Sequence, residues 1–121
     1  MCEDALDLGF LVDSSASIGY KNFKKIQKVM QEVIQYYTIS ERGTHIAAIL
    51  IDSQPKLAFG FNTLKGSKLT TLQVQRLIQA MQYTKGKTRI DLALNMASKK
   101  MFSKHGGSRR NVRKVITFTV K

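Results

Sequence analysis

The chain of 121 residues contains one cysteine, one proline and no tryptophan. With Cys2 alone, no internal disulfide can form, and the thiol is left free, bridged to another chain, or separated from a partner outside this sequence. A single proline beside 43% hydrophobic residues argues against disorder. No apolar run approaches the ~20 residues of a membrane span, and the opening MCEDALD lacks the basic and apolar regions of a signal peptide. Histidine is equally sparse. His45 lies in an apolar stretch and His105 in a polar loop, without metal-ligand spacing between them. No Ser-His-Asp order is tied to recognisable elements, so nucleophilic catalysis has no support. Asn22, Asn62, Asn95 and Asn111 are not followed by Ser or Thr two positions on, which excludes an N-glycosylation acceptor.

Acidic residues are the other shortage, and it is confined to one half. Residues 1–60 carry 6 Lys and Arg against 7 Asp and Glu, whereas residues 61–121 carry 14 against 1, for a net charge of +12 overall. One reading is a polyanion-binding surface around Arg109, Arg110, Arg113 and Lys114, since clustered cations attract phosphate or sulfate by steering and counterion release. The other is that acidic segments would follow the last residue of a longer protein.

What is present reads as one domain over residues 1–121. Residues 7–12 form an almost wholly apolar strand, as expected for a central parallel strand covered on both faces. Phe23, Ile26, Val29, Met30, Val33, Ile34 and Tyr37 fall at helical spacing and predict an amphipathic helix over 20–37. Residues 44–51 (THIAAILI) and 56–61 (KLAFGF) predict two strands joined as a hairpin through Asp52-Ser53-Gln54-Pro55, the second at an edge where Pro55 costs little. Leu69, Leu72, Val74, Leu77, Ile78 and Met81 mark a helix over 69–81, and Ile90, Leu92, Ala93, Leu94, Met96, Ala97, Met101 and Phe102 another over 90–102. After the basic loop SKHGGSRRN, residues 114–120 predict a last strand. The order β-α-β-β-α-α-β fits a three-layer, Rossmann-like α/β sandwich with a mostly parallel sheet and one antiparallel edge strand.

Such sheets bind ligands at the carboxyl ends of their strands, beside the first strand. There the chain reads Asp13-Ser14-Ser15-Ala16-Ser17 before the first helix. In a turn, Asp13, Ser15 and Ser17 can converge as one carboxylate and two hydroxyls, a set suited to Mg²⁺ or Ca²⁺. The same residue types are also preferred helix N-caps. Gly86-Lys87-Thr88 is not a phosphate loop, because that pattern needs Gly where Met81 stands and follows a strand rather than a helix.

The segment DLGFLVDSSASIG (residues 7–19) resembles the metal-ion-dependent adhesion site of von Willebrand factor A domains, whose motif is D-x-S-x-S after a hydrophobic strand. The hairpin HIAAILIDSQPKLAFGFN resembles the family's second and third strands, and GKTRID (residues 86–91) its threonine loop. The resemblance implies the family's sandwich fold. It assigns Thr88 as a further ligand, though Thr there is also an N-cap for the next helix. It places Val120 where the family has an Asp that acts through water, which weakens the expected site for Mg²⁺, Mn²⁺ or Ca²⁺. The implied function is binding rather than catalysis. A cation held mainly by neutral hydroxyls accepts an acidic residue of an extracellular matrix partner such as collagen. The alternatives are a structural or sulfated-glycan-binding module with a defunct metal site, or an intracellular assembly protein. The family is otherwise expected to be secreted. In extracellular relatives a cysteine placed like Cys2 pairs with one after the last helix. The match covers about the first two-thirds of the family domain, so the last strand is expected to expose an apolar edge and to self-associate through it.

Overall fold

In the computed structural model, residues 5–119 are described; Cys2, Val120 and Lys121 lie outside the described residues. The centre of the molecule is β1 (Leu6–Asp13), buried along its whole length. It pairs in parallel with β2 (His45–Ile51) on one side and with β4 (Arg113–Thr119) on the other. The short β3 (Lys56–Phe59) pairs antiparallel to β2, with a bulge between Ala48 and Ile49, giving the order β3-β2-β1-β4. The mostly parallel sheet with one antiparallel edge strand is as the sequence predicts.

Alternation along β1 and β2 divides the core. Leu8, Phe10 and Val12 of β1 with Ile46, Ala48 and Leu50 of β2 face one side. They meet Phe23, Ile26 and Met30 of α1 (Gly19–Val33) and Val74 and Ile78 of α2 (Thr71–Gln79). Leu11, Ala47, Ile49 and Ile51 face the other side, against Phe61 and Ala93, Ala97 and Met101. Ala93 belongs to α3 (Ile90–Met96), and the next two residues to the π-helical turn Ala97–Met101 that continues it. Three layers result, because both faces of a parallel sheet must be covered.

The helices are shorter than their apolar spacing predicts. α1 ends at Val33 and tightens into a 3₁₀ turn, Ile34–Tyr36. α2 begins after Thr70, whose hydroxyl accepts the Gln73 N–H at 3.2 Å as an N-cap and fixes the start beyond Leu69. Val29 and Leu72 lie at the margins of their stripes and are 54% and 56% exposed. The helix expected to run to Phe102 widens at Ala97, where the Phe102 N–H bonds the Ala97 carbonyl at 2.9 Å, five residues back. Gly9 on β1 makes room there, since a Cβ would overlap the end of the Met101 side chain. β4 starts at Arg113, pairs with β1 alone among the described strands, and leaves Ile116 and Phe118 partly exposed.

Candidate metal centre

β1 ends at Asp13, level with Ile51 of the neighbouring β2. The Asp13 side chain is 5% exposed. Its Oδ1 accepts the Ser15 N–H at 2.9 Å, which turns the chain back over the strand end. The Ser15 and Ser17 hydroxyl oxygens then lie 2.8 Å apart, Ser15 buried and Ser17 open to solvent. Neither caps the helix. The N-cap of α1 is Ile18, with no side-chain cap bond. Capping, the competing use of these residue types, is not how the structure employs them.

A second loop closes over this turn. Gly86 forms a parallel bridge with Ser15, the Ala16 N–H donates to the Gly86 carbonyl at 2.8 Å, and the Tyr83 hydroxyl donates to the Ser15 carbonyl at 3.0 Å. The Thr84 N–H donates to the Ser14 hydroxyl at 2.7 Å, and the two hydroxyl oxygens are 2.9 Å apart. Packing anchors the loop from beneath, with the Tyr83 ring 5.4 Å from that of Phe23. Lys85 takes a left-handed backbone, φ 58°, which side-chain-bearing residues adopt at a cost of about 1–2 kcal/mol. Two residues beyond Gly86, Thr88 is exposed. The cap of α3 is Arg89, again without a side-chain bond, so Thr88 does not cap either. Arg89 instead pairs with Asp91 at 2.9 Å on the surface, and this hydrogen bond holds the Asp91 carboxyl below its ordinary range.

Asp52, a turn residue by its sequence, directly follows β2, one position beyond the level of Asp13. Burial opposes its ionisation. Hydrogen bonds from the Thr84 hydroxyl, the Ser53 N–H and hydroxyl and the Lys87 N–H outweigh that and hold its carboxyl below the usual value. The only hint in the sequence is a carboxylate at the end of a buried strand. Its loop partners lie more than thirty residues away in the chain.

The basic residues lie at the other end of the sheet. The Arg109 guanidinium pairs at 2.9 Å with Asp7, at the start of β1, and donates to the Leu6 carbonyl at 2.8 Å. Asp7 also accepts the Arg109 N–H at 2.7 Å. The Lys114 ammonium donates to the Arg109 carbonyl at 2.7 Å and the Val112 carbonyl at 3.2 Å. Arg110 and Arg113 are exposed. A groove of about 600 Å³ runs between Phe102, Lys104, Ser108, Arg109, Arg110 and Lys114.

Among the described residues no group of three or more His, Cys, Asp or Glu comes together. A cation here would rest on one buried carboxylate, hydroxyls and water, oxygen donors that fit a hard or borderline divalent ion. The hydroxyls of Ser15 and Ser17, 2.8 Å apart, are donors of that kind.

A sequence profile of the von Willebrand factor type A domain matches residues 7–120. Human vitrin is 27% identical over 116 residues, covering 96% of this chain and 16% of vitrin. The bovine von Willebrand factor A domain-containing protein 1 is 30% identical over 112 residues, 93% of this chain and 26% of that protein. Chicken matrilin-1 is 28% identical over 116 residues, 95% of this chain and 23% of matrilin-1. The chain thus spans no more than about a quarter of these relatives. Among solved structures, proximal thread matrix protein 1 of the mussel byssus superposes with a TM-score of 0.88 at 22% identity, over 97% of this chain and 30% of its own. A second structure of that protein, with its metal-ion-dependent adhesion motif occupied by zinc, gives 0.87 at 21% identity, over 97% and 31%.

Proposed function

This chain belongs to the von Willebrand factor type A family, and from that premise we propose that it is a binding module in which Asp13, Ser15, Ser17 and Thr88 hold a divalent cation for capture of an acidic residue on a partner protein. The observation that carries this reading is that none of the hydroxyls in question is spent on a helix cap. A metal-bearing relative of the same fold adds to it. Bound there, the cation would supply an electrophilic centre for an incoming carboxylate. Of these four residues Asp13 alone carries a carboxylate, and its bond to the Ser15 N–H fixes the turn before any ion arrives. Ser15 and Ser17 contribute neutral oxygens, so the site leaves positive charge unneutralised and favours an anionic ligand from outside. Exposure of Ser17 and Thr88 keeps that approach open.

Mg²⁺ or Mn²⁺ suits the six oxygen positions that such a set completes with water. The partner class that goes with this chemistry and family is an extracellular matrix protein such as collagen, and the role is adhesion rather than catalysis. Calorimetric titration of Mn²⁺ into the metal-free protein tests the site. Wild type should bind, Asp13→Ala should lose about 100-fold or more in affinity, and EDTA should abolish capture of an acidic matrix ligand. Equal Mn²⁺ binding by both proteins would falsify the assignment.

The groove at the far end of the sheet favours a second reading, binding of a sulfated polyanion through Arg110, Lys104 and the flanks of Arg109 and Lys114, with the exposed Arg113 next to Lys114 in the chain. Heparin capture by this surface should survive EDTA and weaken steeply with salt. Retention on a heparin column unchanged by Arg110→Glu with Arg113→Glu would remove it.

A further inference from the structure

We propose that Asp52 is the second carboxylate of the cation site, acting as a positioning residue that holds the Thr88 loop against the Asp13 turn. The inference rests on the cation reading above and adds to it a group outside the D-x-S-x-S segment and the threonine loop.

Gly86 lies between two partners, with Ser15 bridged to its backbone on one side and the Asp52 carboxylate against its α-carbon on the other. The contact is so close that a Cβ at position 86 would fall within the carboxylate group. On either side of Gly86, Thr84 and Lys87 favour the charged form of the same carboxylate. Thr84 is in turn bonded to Ser14, inside the motif. Asp52 therefore braces the loop at Gly86, two residues before Thr88. Without it, the chain at 85–87 would be anchored by Ser14, Ser15 and Ala16 backbone contacts alone, and Lys85 would have less to hold it in its left-handed conformation.

Charge gives Asp52 a second effect. Only Asp13 places a carboxylate within the D-x-S-x-S turn, and a dication gains from further negative charge nearby even when that charge makes no direct bond. Asp52 supplies it from the adjacent strand end, on the opposite side of β1 from β4. Groups that orient metal ligands in this way typically change affinity by about 10–100-fold when removed.

Two variants separate the effects. Asp52→Asn removes the charge and part of the hydrogen bonding, whereas Gly86→Ala keeps every charge but forces loop and carboxylate apart. Mn²⁺ affinity measured by calorimetry should fall about 10-fold or more in each. In the metal-free protein, amide hydrogen exchange at Lys87 should quicken in both, while exchange along β1 stays as in wild type; this readout needs no metal and reports the loop even if a variant is less stable. Asp13→Ala serves as the control for the site itself. Wild-type Mn²⁺ affinity and Lys87 protection in both Asp52→Asn and Gly86→Ala, with Asp13→Ala defective, would overturn the role of Asp52 and leave the cation site standing. No Mn²⁺ binding by wild type would overturn both.

Discussion

Asp13 and Asp52 occupy the ends of adjacent parallel strands, yet their surroundings assign them different work. Asp13 is spent on a single turn bond and remains the one motif carboxylate, while Asp52 is stabilised by donors on its neighbour Ser53 and on the second loop. Those donors hold the Asp52 carboxyl below its ordinary value, so its contribution to stability has a definite sign. It is fully present above the unfolded-state value of about 3.9 and is lost as pH falls through the lower folded-state value. The difference in urea midpoint between metal-free wild type and Asp52→Asn should accordingly be constant near neutral pH and shrink below about pH 4. A difference that grows on acidification would contradict the direction of the shift.

At the scale of elements, the contact between α1 and α2 depends on a polar side chain. Gln27 is buried in the apolar stripe of α1, and its amide nitrogen donates to the Ile78 carbonyl at 2.8 Å and the Met81 carbonyl at 3.0 Å, satisfying the end of α2. Its amide oxygen has no partner among the described residues. Loss of the donor removes this partner from the Met81 carbonyl and leaves the Ile78 carbonyl with the Met81 N–H at 3.2 Å, so Gln27→Ala should destabilise by about 1–3 kcal/mol in urea unfolding. The π-helical turn after α3 has a matching explanation in its partner strand. Gly9 lets Met101 and Phe102 approach β1, and the widened turn brings Ala97 and Met101 both onto the sheet.

For the whole molecule, the two ends of the sheet are held by opposite chemistries. The upper end gathers hydroxyls and two carboxylates with loops folded over them. The lower end is closed by a fully buried Asp7 that accepts from Ser108, the Arg109 backbone and the Arg109 guanidinium, tying the loop before β4 to the start of β1. Removing one partner of such a pair leaves an uncompensated buried charge. Arg109→Ala should therefore cost about 3 kcal/mol or more, whereas Arg110→Ala, exposed one residue on, should stay within about 0.5 kcal/mol. Chemical denaturation of both variants checks the contrast.

Residues 6–19 illustrate what the sequence determined alone. A continuous apolar strand, a D-x-S-x-S turn and the following helix are local patterns, legible because strand burial, turn chemistry and helical spacing act over a few neighbouring residues. The mostly parallel sheet with an antiparallel edge followed from the order of such elements. Helix ends were less legible, since Val29 and Leu72 fit an apolar stripe whose width only the neighbouring layer defines. Tertiary structure alone decided that Ser17 and Thr88 are not caps, that Gln27 is core, that Arg109 belongs to Asp7, and that Asp52 reaches the loop around Gly86. The reason is physical. A carboxylate or guanidinium finds its partner across contacts as distant as 103 residues in the chain, and no local periodicity records which of several equivalent charges the fold will bring together.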